Sequence, residues 1–226
     1  MMGRPSVLSA FALLGTLLLP ATRAHAEDPA DLDRQEAKLL QQHSQWARRD
    51  GLRLTLTTSK GRGLVRFESQ NACTGPGDCL LYHFNGISPD GGFLVVRVSR
   101  WEGGTALWIS RRDGRSYEVY RDPVLSPDGR YIVAANPSEA YDVNGVFIWE
   151  LRQGTLVRRF SEVPKTYALY NFIAWQDEST VRLKRTSQEP EACSNGSLAE
   201  SEVLLQRQPD GRWRLLPPAP GSLRCV

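Results

Sequence analysis

Few residues outside the first 26 positions could do chemistry. Two histidines remain there, His43 in a stretch with helical spacing and His83 in an apolar run. Asp90 and Asp128 form a candidate carboxylate pair, but each stands in a Ser-Pro-Asp-Gly sequence, where Asp bonds to its own turn. We interpret both histidines as packed or hydrogen-bonded residues and both aspartates as turn residues.

Other catalytic signatures are missing from the sequence. It contains no Gly-x-Ser-x-Gly elbow, no phosphate-cradling glycine-rich loop and no His-Glu-x-x-His. The sequence therefore predicts no catalytic residues, no metal site and no cofactor, and it favours a protein that is not an enzyme.

The four cysteines predict disulfides, because an even number in an exported chain is typical of cystine pairs. Cys73 and Cys79 flank a short loop that contains Gly and Pro, and we expect them to pair. Cys193 would then pair with Cys225. Zinc binding is a weaker alternative, since the spacing is not Cys-x2-Cys and neither histidine lies near a cysteine pair in sequence.

Residues 1–26 predict a secretory signal peptide. Arg4 is followed by an apolar stretch from Val7 to Leu19, and Ala24-His25-Ala26 is a small-x-small cleavage site. The alternative, an uncleaved anchor, needs about 20 apolar residues. The sequence predicts a periplasmic or secreted protein with no membrane span after cleavage. With 28 basic and 25 acidic residues in the whole chain, we expect no nucleic-acid partner.

The centre of the chain contains the same unit twice. Each copy begins with Ser-Pro-Asp-Gly, at Ser88 to Gly91 and at Ser126 to Gly129, and continues into an apolar, β-branched run. A strand centred on Trp108 or Trp149 follows, and then a second turn. These turns predict hairpins, and a third, eroded copy follows Trp175. Four-stranded units of about 40 residues are typical of β-propeller blades.

These turns resemble TolB-type propeller repeats, and Ile148 to Val157 is similar to the strand-turn-strand signature of WD-repeat blades. The resemblance covers roughly Leu81 to Leu216. It implies a binding scaffold with a variable partner, and it implies no catalytic residue.

Two segments precede the repeats. Residues 27–51 predict an N-terminal amphipathic helix, running from Pro29 to Arg49, with Leu32, Leu39 and Trp46 on its apolar stripe. The helix either packs on the sheets or docks a partner. Residues 52–226 predict the β domain, which opens with a hairpin at Leu52 to Phe67. The predicted fold is all-β: a small or incomplete propeller-like array of three to four four-stranded blades.

Alternation of strands brings the longer connections to one end of the array. We call this end the long-loop face, and it comprises Ser99 to Gly103, Pro137 to Asn144, Ser161 to Leu169 and Thr186 to Ala199. Acidic residues outnumber basic ones in these loops. Insertions in repeat proteins often form the binding face. The predicted binding residues are Trp101, Glu102, Tyr141, Asp142 and Tyr167.

The sequence supports one main hypothesis of function and two alternatives. The main hypothesis is an exported, non-enzymatic binding module for a protein or an envelope glycan. The alternatives are a periplasmic inhibitor or immunity-type protein, and a hydrolase whose site the sequence does not reveal.

Overall fold

The computed structural model describes residues 29–59, 63–70, 75, 78–101, 103–120, 122–140, 142–188, 193, 197–219 and 221–226. The predicted signal peptide lies outside these ranges, and so do Cys73, Glu102 and Tyr141. Within the described ranges the chain forms one helix followed by strands, which confirms the predicted all-β class. No helix in these ranges combines the length and apolarity that a membrane crossing requires.

The N-terminal helix α1 (Pro29–Gln42) is shorter than predicted. The sequence placed its end near Arg49, but Ala47–Asp50 forms a strand that pairs with the next one. Glu36 holds the helix in place, because its buried carboxylate accepts two hydrogen bonds of 2.7 Å from Arg49 and one of 2.6 Å from the Phe84 amide. The helix thus covers the strand Leu80–Ile87, which contains Phe84 and would otherwise be an open sheet edge.

The strands form four antiparallel sheets in chain order. Sheet 1 contains β1 (Ala47–Asp50), β2 (Arg53–Thr57) and β3 (Leu64–Glu68); sheet 2 contains β4 (Leu80–Ile87), β5 (Phe93–Arg100), β6 (Gly103–Ser110) and β7 (Ser116–Glu118). Sheet 3 contains β8 (Val124–Leu125), β9 (Tyr131–Asn136), β10 (Gly145–Arg152) and β11 (Thr155–Glu162). Sheet 4 contains β12 (Ala168–Asp177), β13 (Thr180–Gln188), β14 (Leu198–Arg207) and β15 (Trp213–Leu215), and β16 (Arg224–Cys225) also pairs with β14.

The two Ser-Pro-Asp-Gly turns have the same hydrogen bonds. In the first, the Ser88 hydroxyl donates to Asp90 over 2.6 Å and accepts from the Phe93 amide over 2.9 Å. In the second, the Ser126 hydroxyl donates to Asp128 over 2.7 Å and accepts from the Tyr131 amide over 2.9 Å. The sequence repeat is therefore a structural repeat, and both aspartates are turn residues as predicted.

Three apolar clusters hold the four sheets in a stack. Leu54 and Leu56 of sheet 1 pack with Leu94 and Val96 of sheet 2, and α1 adds Leu39. The second cluster joins sheets 2 and 3 through side chains that include Trp108 and Trp149, and the third joins sheets 3 and 4 through Ile148, Leu183 and Trp213. Face-to-face stacking of successive antiparallel sheets is the arrangement of propeller blades, and sheet 1 differs from a usual four-stranded blade in having three strands.

The array is propeller-like but incomplete. None of the three clusters, which cover the described residues, joins sheet 4 to sheet 1. The predicted Cys193–Cys225 disulfide is present and lies next to the pairing of β16 with β14. A disulfide is typical of an oxidising compartment outside the cytosol. Cys79 is buried, but its predicted partner Cys73 lies outside the described residues, so that pairing stays a prediction.

Candidate binding face

The long-loop face is built from the connections at one end of sheets 2, 3 and 4. Of its four segments, Ser99 to Gly103 is shorter than the sequence suggested, because β5 extends to Arg100 and β6 begins at Gly103. Only Trp101 and Glu102 connect these strands. The longer connections in the described ranges link β9 to β10 and β11 to β12. The connection from β13 to β14 lies mostly outside the described residues.

Asp142 joins two of these connections. Its carboxylate accepts a hydrogen bond of 2.9 Å from the amide of Gly104, so the β9–β10 loop of sheet 3 is bonded to the β5–β6 turn of sheet 2. Glycine is needed at the contact, since a Cβ on Gly103 would overlap the Asp142 carboxylate and a Cβ on Gly104 would lie 2.6 Å from the Val98 carbonyl oxygen. Asp142 therefore bonds the β9–β10 loop to the start of β6, three residues after Trp101.

Further hydrogen bonds attach the β9–β10 loop to the link between sheets 3 and 4. The Tyr167 hydroxyl donates to Glu139 over 2.8 Å, and the Asn144 side chain donates to the Ala168 carbonyl over 2.8 Å. The hydrogen bond to Glu139 raises the pKa of Tyr167, because the anionic acceptor stabilises the protonated phenol. The loop is thus bonded to both of its neighbours.

Exposed apolar side chains lie on each of these connections. Trp101 is 44% exposed, Val143 is 46% exposed and Val163 is 54% exposed. Exposed hydrophobic residues that occur singly are ordinary, and a contiguous apolar patch is typical of an interaction surface, so three such residues on adjoining connections make this end of the array a candidate. We call these three residues the apolar loop group.

The structure brings together only part of the predicted set of binding residues. Trp101 is exposed as expected, while Asp142 and Tyr167 use polar atoms to bond neighbouring loops. Glu102 and Tyr141 lie outside the described residues. A binding role for these five residues stays a prediction.

Sequence reasoning missed Val143 and Val163. A single β-branched residue in a polar loop gives no periodic signal, so its exposure follows only from the fold. The one available hint was a β-branched residue next to loop-forming Asn144 or Pro164.

A small cavity lies beside the β5–β6 turn. It has a volume of about 50 Å³ and is lined by Ser99, Arg97, Asn85 and Asp122 together with Gly103 to Ala106. Pockets for small organic ligands are usually about 300–1,000 Å³. This cavity could admit water or one protruding polar group.

The two histidines lie away from this face, next to α1. His83 is buried, with its Nε2 3.2 Å from Asp33, and His43 packs edge-on against Phe84 with ring centres 6.0 Å apart. These contacts agree with the structural roles expected for both residues. Among the described residues no group of three or more His, Cys, Asp or Glu side chains could hold a metal ion.

Comparisons with known proteins assign no family to this chain. No family model matches it, and no curated protein matches it. Among solved structures it is similar to Kuenenia stuttgartiensis hydrazine synthase, with 16% identity and a TM-score of 0.38, over 74% of this chain and 60% of that one. It is also similar to the tricorn protease, with 12% identity and a TM-score of 0.36, over 72% of this chain and 18% of that one. The chain thus spans less than two thirds of either protein, and likenesses this weak decide nothing about function.

Proposed function

We propose that this chain is an exported, non-enzymatic binding module, and that its long-loop face holds a protein or glycan of the cell envelope. The observation that carries the proposal is the apolar loop group, whose three members lie on connections that hydrogen bonds fasten together. Loops fixed in this way lose little conformational entropy on binding, which favours affinity.

The chemistry of the face favours a particular kind of partner. Glu139 and Asp142 lie in the same loop as Val143, and acidic residues outnumber basic ones across the four segments. Aromatic and aliphatic anchors surrounded by carboxylates suit a partner that presents apolar groups among basic ones. Because the nearby cavity is small, a protein surface fits better than a buried small ligand.

Placement outside the cytosol is part of the proposal. It is supported by the Cys193–Cys225 disulfide and by the sequence pattern of residues 1–26. The periplasm is the compartment we propose.

The test compares substitutions within the apolar loop group with a matched substitution elsewhere. Trp101→Ala and Val163→Ser should each weaken binding of a partner captured from envelope extract by about 1 kcal/mol or more, roughly a fivefold loss of affinity. Affinity would be measured by calorimetry with the purified partner, and melting temperature would be recorded to confirm folding.

Ile173→Ser is the control, because Ile173 is 42% exposed but lies within β12, away from the loops. It should leave affinity unchanged. If Ile173→Ser weakens binding while Trp101→Ala and Val163→Ser do not, the long-loop face is not the binding surface.

A further inference from the structure

The outward face of sheet 1 has a distinct pattern of charge. Its residues alternate with Leu54 and Leu56, which face sheet 2, so they point away from the stack. The strand register places them in two cross-strand rows. One row is Arg48, Thr55 and Arg66, and the other is Asp50, Arg53 and Glu68. The six residues line one open depression.

The two rows differ in how their charges are matched. Arg53 donates a 2.9 Å hydrogen bond to Glu68 and lies opposite Asp50, so the one arginine of this row has a carboxylate on each neighbouring strand. In the described part of the chain, neither Arg48 nor Arg66 makes a salt bridge, although both are exposed. Between them lies Thr55, which is only 4% exposed. Two unpaired arginines thus flank a hydroxyl group.

Sheet 4 provides an internal comparison, because it is the other end of the stack and also has a charged outward face. There Arg182 bonds to Glu202 over 2.7 and 2.9 Å, and Lys184 bonds to Glu200 over 2.9 Å. Arg182 and Lys184 each have a carboxylate partner on the neighbouring strand. Cations in the middle of an end sheet can therefore be paired with carboxylates across the strands, and among the described residues Arg48 and Arg66 are not.

We propose that the Arg48–Thr55–Arg66 row is a binding site for a phosphate group. Guanidinium groups bind phosphate oxygens in a forked, two-point geometry, and a hydroxyl between them supplies a further donor. A tetrahedral phosphate presents oxygens in several directions, which suits donors arriving from both sides and from below better than a planar carboxylate does. Asp50 and Glu68 lie in the next row, where Arg53 offsets one of their two negative charges, so that the depression as a whole keeps a net positive charge from its three arginines.

The same chemistry has two sources, free phosphate and a phosphodiester on a membrane surface. The test uses the mature chain and follows the amide signals of Arg48, Thr55 and Arg66 by NMR during titration with inorganic phosphate, with chloride at equal ionic strength as the reference. A second arm measures co-sedimentation with phosphatidylglycerol vesicles and with phosphatidylcholine vesicles.

The variants are Arg48→Gln with Arg66→Gln, and the control is Arg182→Gln with Lys184→Gln, which removes the same number of positive charges from the other end. We expect the amide signals to shift saturably in phosphate but not in chloride. The phosphate concentration at half saturation should increase about tenfold or more in the Arg48→Gln, Arg66→Gln variant and stay unchanged in the control variant. If the wild-type protein sediments with phosphatidylglycerol vesicles and the Arg48→Gln, Arg66→Gln variant does not, the source is a membrane phosphodiester. Shifts without sedimentation would identify free phosphate.

Two results would overturn the site. In the first, the amide signals shift equally in phosphate and in chloride, and the two double variants bind vesicles equally well, which indicates charge screening alone. In the second, both double variants lose the same amount of binding, which indicates that binding depends on the net charge of the protein rather than on this row. Either result leaves the long-loop face untouched, because none of these substitutions lies on it.

Discussion

Glu150 is a buried carboxylate at the centre of an arginine cluster in sheet 3. It is 2.9 Å from Arg152 and 2.6 Å from Arg159, and Arg130 lies 3.8 Å away. Burial opposes ionisation of Glu150, but the hydrogen bonds from Arg152 and Arg159 outweigh it and lower the pKa below its ordinary value. Because the pKa is lower in the folded state, this carboxylate stabilises the fold above its unfolded pKa of about 4.3, and the contribution is lost as pH falls through the folded pKa.

Glu150→Gln should therefore reduce the free energy of unfolding by about 1–3 kcal/mol at pH 7. The difference from wild type should shrink as pH falls below about 4. Urea unfolding followed across this range would measure it. Glu202→Gln is the matched control, because Glu202 also bonds to an arginine but is half exposed, and its effect should be much smaller. If Glu150→Gln lowered the free energy of unfolding by the same amount at every pH, Glu150 would contribute through packing rather than through its charge.

At the scale of the element, the repeated turns tie local sequence to local structure. Gly91 and Gly129 have φ of +70° and +71°, and each donates its amide to the serine that opens the turn. Nothing lies within 4 Å of a Cβ built on Gly129, so a substitution there meets backbone strain and no clash.

Gly129→Val should lower stability by about 1–2 kcal/mol, whereas Gly129→Asn should cost less because Asn tolerates positive φ. Melting temperatures of the three proteins would give the order Gly, Asn, Val. If Val and Asn were equivalent to Gly, the left-handed backbone at this turn would not constrain the fold.

Sequence reasoning succeeded where structure depends on neighbouring residues in the chain. The Ser-Pro-Asp-Gly turns, the strands that follow them and the tryptophan positions are local patterns, and all were predictable. The error at Ala47–Asp50 has a different cause, since four residues after a helix become β1 only because β2 is available to pair with them. The buried Glu36–Arg49 ion pair could not be predicted either, because it forms only once β1 leaves the helix and places Arg49 beside Glu36.

The candidate face shows the same division. The exposure of Trp101 could be predicted because it stands in a connection between two strands that local sequence patterns define. Val143 and Val163 could not, because their exposure depends on how sheets 2, 3 and 4 stack. The role of Asp142 was likewise hidden, since Gly104, which it bonds, belongs to another sheet.

At the scale of the whole molecule, an open stack must prevent further sheets from adding to its ends. The inner faces pack through apolar side chains, while the outward face of sheet 4 carries the Arg182–Glu202 and Lys184–Glu200 pairs. Terminal units of repeat proteins need such polar outer faces to stay in solution. These pairs add little stability because they are exposed, so their main effect is to make the face unsuitable for another sheet.

Replacing Arg182 and Glu202 together by Val should therefore increase self-association, because it creates an apolar strip of the kind that joins sheets 3 and 4. Buried apolar surface contributes about 25 cal/mol per Å², so a few side chains on a flat sheet suffice to promote stacking. Sedimentation velocity over a range of protein concentrations would measure the change relative to wild type. The control replaces the same two residues by Gln, which removes both charges but keeps the face polar. If only the Val variant associates, the native charged pairs act by keeping an apolar surface from forming at the end of the stack. If the Gln variant associates as strongly as the Val variant, loss of charge alone explains the association.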